Sequence, residues 1–127
     1  MDRIIRAGIV GYGNLGKGVE MALRQNPDFR LEAIFTRRAP DNIEASAKVV
    51  HISEIEKYKG IIDVMILCGG SATDLPEQAP KVAAMFNTVD SFDTHARIPE
   101  YFMTMDEAAK KAGTLSLIST GWDPGLF

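Results

Sequence analysis

The chain has 127 residues, 46% of them hydrophobic and 24% charged, the make-up of one globular domain with its own core, which excludes a disordered segment or a fibrous repeat. A formal net charge of -3 excludes the broad basic excess that general nucleic-acid binding needs, so any anion site must be local. The single cysteine, Cys68, permits no internal disulfide, and no Cys/His cluster has zinc spacing, so no metal site is expected.

The opening Met1-Asp2-Arg3-Ile4-Ile5-Arg6 breaks its apolar character with charge before a signal-peptide core could form. No stretch approaches the ~20 apolar residues of a membrane span. The chain is therefore read as cytoplasmic, with no membrane partner. Residues 4–10 form a short, mostly apolar run ending at Gly11, as expected of a strand buried on both faces of a parallel sheet. Beyond the glycines, Leu15, Val19, Ala22 and Leu23 recur at i, i+4, i+7 and i+8, which predicts a helix stopping near Asn26-Pro27.

Residues 31–36 give a second strand, and the polar segment 37–42 leads to a weaker third over 47–50. A fourth buried strand is predicted over 63–68, followed by a loop over 69–74 and a helix over 75–86. Pro76 suits the first turn of that helix, whereas Pro80 is expected to distort it. A short strand end over 88–90 precedes a helix over 98–112, with Pro99 at its start and Gly113 just past its end. Met103 and Met105 read as packing residues of that helix. Residues 115–119 supply the last strand. Strands alternating with helices predict an α/β fold, a doubly wound parallel sheet occupying the whole of 1–127 as one domain.

Gly11-Tyr12-Gly13-Asn14-Leu15-Gly16 is G-x-G-x-x-G set between the first strand and the first helix, the context of a Rossmann dinucleotide site. Gly11 allows the sharp turn, Gly13 lets the backbone approach a pyrophosphate, and Gly16 lets the helix pack closely. The helix N-terminus then offers free N–H groups to phosphate. The next strand ends in Thr36-Arg37-Arg38, where units that bind NAD usually carry an acidic residue about 20 residues on from the glycines. A hydroxyl and two guanidinium forks suit a 2'-phosphate, which a carboxylate would repel, so NADP is expected; the alternative is a solvated basic turn.

Cys68-Gly69-Gly70-Ser71 follows the fourth strand, where small residues allow a loop to approach a cofactor; an ordinary tight turn fits as well. Cys68 reads as core rather than nucleophile, since no histidine is placed to activate it. Asp90-Ser91-Phe92-Asp93-Thr94-His95 lies past a strand end and could face a cationic amine, or be a solvated acidic loop. His51 and His95 read as surface or hydrogen-bonded histidines. Trp122 and Asp123, at the mouth of the sheet, could wall a polar pocket or belong to a tail without a role.

Taken with the segments Pro76-Glu77-Gln78-Ala79-Pro80 and Ser119-Thr120-Gly121-Trp122-Asp123-Pro124-Gly125, these motifs resemble meso-diaminopimelate dehydrogenase in order and spacing across essentially the whole chain. The resemblance implies NADP-dependent oxidative deamination of meso-2,6-diaminopimelate at its D-centre, giving L-2-amino-6-oxopimelate, which cyclises to tetrahydrodipicolinate, and ammonia. In reverse it supplies diaminopimelate for lysine and cell-wall synthesis. It implies cofactor contacts from Tyr12 through Leu15, Thr36 through Arg38, Cys68 through Ser71, Ser91-Phe92 and Thr120-Gly121. It also implies a substrate amine held by Asp93, Trp122 and Asp123, with Asp93 and Asp123 as catalytic carboxylates.

The family's substrate and dimerisation region is not in this sequence, so the chain is expected to be a truncated piece of a homodimeric enzyme, with activity of the piece alone in doubt. Other readings are a different NADP-dependent reductase of the lysine pathway, such as dihydrodipicolinate reductase, and a non-enzymatic NADP-binding module. The Ser-Thr-Gly-Trp-Asp-Pro-Gly ending disfavours the reductase.

Overall fold

A computed structural model describes residues 3–70 and 73–120. Its sheet has six parallel strands in the order β3-β2-β1-β4-β5-β6, the doubly wound Rossmann arrangement that alternating strands and helices predict. The strands are β1 (Ile5–Val10), β2 (Phe29–Thr36), β3 (Lys48–His51), β4 (Val64–Leu67), β5 (Asn87–Asp90) and β6 (Ser116–Leu117). The α-helices are α1 (Asn14–Arg24), α2 (Leu75–Ala83) and α3 (Ile98–Ala112).

The chain runs outward from β1 to β2 and β3, then returns past β1 to β4 and continues to β5 and β6. Right-handed crossovers therefore place α1 on one face and α2 and α3 on the other. Two cores result. On the α1 face, Ala7, Ile9 and Ile34 pack with Leu23 and Tyr12. On the opposite face, Phe35, Met65 and Leu67 pack with Leu75, Val82, Tyr101 and Met105. Burial on both faces explains why β1 and β4 read as mostly apolar runs.

Three expectations need correction. In α1 the inward residues are Gly16, Glu20 and Leu23, with Val19 half-buried, whereas Leu15 and Ala22 are exposed. The inward face is rotated relative to the apolar stripe because it accommodates a hydrogen-bonded carboxylate. In α3, Met105 is buried but Met103 faces solvent, 71% exposed. Helix α2 ends at Ala83 rather than 86, its last turn closed by Met85 and Phe86 N–H groups donating to the Val82 carbonyl. Pro80 lies inside α2, which runs on past it.

A 3-10 helix over Ile52–Tyr58, absent from the sequence reading, makes the crossover from β3 to β4. It buries Ile55 beneath the sheet and sets the Tyr58 ring edge-on to Phe35, 5.1 Å between centroids. The β1–β4 junction is locked at its start by Asp63, which accepts from the Arg6 backbone N–H at 2.8 Å and from its guanidinium at 3.1 and 3.3 Å. Gly113, at φ +73°, ends α3 where its sequence position predicts.

Candidate functional site

The connections leave the sheet in opposite directions at β1 and β4, which opens a crevice beyond their carboxyl ends, the place where such sheets bind ligands. Here it is a cleft of about 530 Å³, walled by Gly11–Gly13, the Thr36–Arg38 turn, Cys68–Gly70 and the side chains of Asp74 and Gln78. Its floor is stitched together by backbone hydrogen bonds from Gly11 N–H to the Phe35 carbonyl (2.9 Å) and from Cys68 N–H to the Val10 carbonyl (2.7 Å).

The three glycines do different work. Gly11 has φ +95°, in the left-handed region that favours glycine, and its backbone crosses close to Cys68 and Gly69. A Cβ on Gly16 would lie 2.3 Å from the Gly11 carbonyl oxygen, so only glycine lets α1 start this close to the turn. A Cβ on Gly13 would meet nothing within 4 Å, since Gly13 faces the open cleft. Gly13 is also the residue before α1 and offers it no side-chain cap, and the first turn carries no acidic residue. The N–H groups there are available to an anion, and the helix dipole favours one.

Tyr12 is anchored below this turn. Its hydroxyl donates to Glu20 of α1, and the other oxygen of that carboxylate accepts from the Ser46 backbone N–H at 2.7 Å and from the Ser46 hydroxyl. Burial would raise the Glu20 pKa, but the hydrogen bonds from Ser46 and Tyr12, helped by Arg24, outweigh it and hold the carboxyl below its usual range. The same bond raises the Tyr12 phenol. Lys17 places its ammonium 5.8 Å from the centre of the Tyr12 ring.

The basic turn is shaped by its own side chains. The buried Thr36 hydroxyl accepts from Arg38 N–H (3.1 Å), and the Arg38 guanidinium donates to the Tyr12 carbonyl (3.0 Å), tying the turn to the glycine loop. Arg37 reaches across the cleft to Asp74, Nη2 to Oδ1 at 2.8 Å, while Oδ2 of that carboxylate accepts from Gly70 N–H at 3.1 Å. Cys68 lines the cleft, and burial pushes its thiol up to about 12, which favours the protonated form.

Past β5 the Asp90 carboxylate is buried and accepts from the Phe92 N–H (2.9 Å), the Ser119 N–H (3.0 Å) and the Tyr101 hydroxyl (2.5 Å). That segment is thus organised around Asp90 and is more than a solvated acidic loop. Its carbonyl accepts from both the N–H and the hydroxyl of Thr120. The buried Phe92 ring stacks on Tyr101 at 4.0 Å, so contact from Phe92 to a ligand would come from its backbone. Ser91 is half-buried, and Asp93 is exposed on the same segment. Ser71, Gly121, Trp122 and Asp123 lie outside the described residues. Asn14 and Leu15, exposed, open α1 at the rim. His51 accepts from Ser53 N–H at the start of the 3-10 helix.

The sequence reading missed Glu20, Ser46, Asp74 and Gln78. Glu20 carried a signal: a carboxylate between Gly16 and Leu23 on the inward helix face needs buried donors. Among the described residues no group of three or more His, Cys, Asp or Glu could hold a metal, and no helix is long and apolar enough to cross a membrane.

No protein-family model matches the chain. Over 125 residues, 97% of its length, the chain is 62% identical to the meso-diaminopimelate D-dehydrogenase of Ureibacillus thermosphaericus, of which it spans 38%. Its fold superposes with a TM-score of 0.90 on an engineered D-amino acid dehydrogenase bound to NADP+, 48% identical, covering 96% of this chain and 38% of the other. A Corynebacterium glutamicum DAP dehydrogenase in complex with DAP superposes with a TM-score of 0.89 at 49% identity, covering 95% and 37%. The similarity lies with the amino-terminal part of these dehydrogenases.

Proposed function

We propose that the chain is the NADP(H)-binding unit of a meso-2,6-diaminopimelate dehydrogenase, which reversibly converts the D-centre of its substrate to L-2-amino-6-oxopimelate, the precursor of tetrahydrodipicolinate, and ammonia. The observation that carries the reading is the cleft at the β1–β4 switch: an uncapped helix N-terminus behind Gly13, with Arg37 and Arg38 at the end of β2 where a carboxylate would select NAD. The likeness to NADP+-bound and DAP-bound dehydrogenases supports it.

In this reading Gly11 through Gly16 cradle the pyrophosphate, and Thr36, Arg37 and Arg38 form the 2'-phosphate end. Cys68 through Ser71, backbone at Ser91 and Phe92, and Thr120-Gly121 follow the cofactor towards its nicotinamide, which when bound accepts the α-hydride. Asp93 and Asp123 hold the substrate ammonium and take its proton, with Trp122 as an aromatic wall. The complete enzyme is a cytoplasmic homodimer.

Titration of the chain with NADPH and NADH tests the cofactor assignment: NADPH binds more tightly, and Arg38→Ala removes most of the difference. Equal affinities would refute it. A chimera joining the chain to the remaining part of the Ureibacillus enzyme tests the reaction. It should reduce NADP+ with meso-diaminopimelate and lose that activity on Asp93→Ala; a chimera that binds NADPH but turns over no diaminopimelate would refute the substrate assignment.

A further inference from the structure

Of the two guanidinium groups at the end of β2, only one is turned towards the glycine loop. Arg38 is rooted there through the Tyr12 carbonyl, with its backbone fixed by Thr36. Arg37 instead spans the cleft mouth and is engaged by a carboxylate on the opposite wall, at 2.8 Å. Asp74 is well placed for this. It stands just before α2 with its side chain only 24% exposed, while the Arg37 side chain is 66% exposed, so the acid is the fixed partner and the arginine the movable one. Its second oxygen is held by Gly70 N–H, and Gly69 has no room for a Cβ because it would lie 2.8 Å from the Asp74 Cβ.

We propose that Asp74 is a specificity-determining residue that competes with the cofactor's 2'-phosphate for Arg37 and so moderates the preference for the phosphorylated dinucleotide. The proposal rests on the NADP(H) reading above. An arginine neutralised by a fixed carboxylate offers the incoming phosphate less net positive charge, and the carboxylate itself repels a dianion. The orientation that Asp74 gives Arg37 works the other way, but an exposed ion pair holds its partner only weakly. Repulsion therefore prevails, and Asp74 weakens NADPH binding while leaving NADH, which lacks the phosphate, nearly indifferent.

The test is dinucleotide titration at low ionic strength of the wild-type chain, Asp74→Asn, Asp74→Ser, Arg37→Ala and the Arg37→Ala/Asp74→Asn double variant. Asn keeps an acceptor for Gly70 N–H, and Ser removes the charge with a shorter side chain, so the pair separates loss of charge from loss of the Gly70 contact. Removing the charge is expected to tighten NADPH about tenfold, with NADH changed less than about twofold and the gain shrinking as salt screens the pair. In the Arg37→Ala background, Asp74→Asn should bring a clearly smaller gain, the part that comes from direct repulsion alone. Unchanged or weaker NADPH binding in both charge-removing variants overturns the proposal, as does a full gain without Arg37. A wild-type chain that does not prefer NADPH overturns the cofactor reading itself and this inference with it.

Discussion

Gly13 and Gly16 belong to one motif yet meet opposite surroundings, and substitution separates their roles. A Cβ at Gly16 collides with the Gly11 carbonyl, backbone that cannot step aside without reshaping the turn, whereas a Cβ at Gly13 enters open space. Gly16→Ala is therefore expected to cost about 1–3 kcal/mol of stability, the usual penalty of overpacking. Gly13→Ala should leave the melting temperature of the free chain near wild type but weaken NADPH binding, because the methyl group occupies the path of the pyrophosphate. Thermal melts with and without NADPH check both; a Gly13→Ala chain that binds normally would show that the ligand does not approach there. At this scale the motif was legible from glycine spacing alone. The partners of its neighbours were not, because Tyr12 with Glu20, Glu20 with Ser46 and Arg37 with Asp74 join residues that no local pattern relates.

Helix α1 is fastened to its surroundings by polarity as much as by apolar packing. Glu20 draws together the glycine loop through Tyr12 and the segment before β3 through Ser46. Glu20→Gln leaves one acceptor oxygen for three donors, and a loss of about 1–3 kcal/mol at neutral pH is expected from the unpaired groups. The pH dependence follows from the lowered pKa. The ionised group stabilises the fold above its ordinary value of 4.5, and that contribution fades as pH falls through the lower folded value. Urea unfolding of wild type and Glu20→Gln should accordingly differ most near neutrality and converge at acid pH. A gap that widens on acidification would contradict the assignment.

The strands and α-helices themselves were readable from period, proline and glycine. The 3-10 crossover over Ile52–Tyr58 was not, since so short an element buries little and its Ile52 and Ile55 make too brief a pattern. The rotation of the α1 face escaped for a related reason: a pattern of apolar residues cannot mark an inward carboxylate.

For the whole molecule, two cores share one sheet, and the cleft takes its walls from the ends of β1, β2 and β4, strands that contribute to both, so a ligand bound there should stabilise both. NADPH at about 100 times its dissociation constant adds about 2.7 kcal/mol to the folded state by mass action, and NADH at the same concentration adds less, the difference growing with the logarithm of the affinity ratio. Differential scanning of the chain should show one transition that rises further with NADPH. A split transition, with only one part rising, would mean that the two cores unfold separately. The fold class was the most legible feature of all, because the order of strands and helices dictates the crossovers. The chain spans 38% of the length of the Ureibacillus dehydrogenase, so most of that relative lies outside the matched part.

Asp90 grips the segment after β5 with its carboxylate and the segment after β6 with both its carboxylate and its carbonyl. It acts as a yoke. A displacement of either segment is transmitted to the other through a buried, fully engaged side chain. On the function proposed above, these are the two stretches at the nicotinamide end, and one buried side chain holds them to each other.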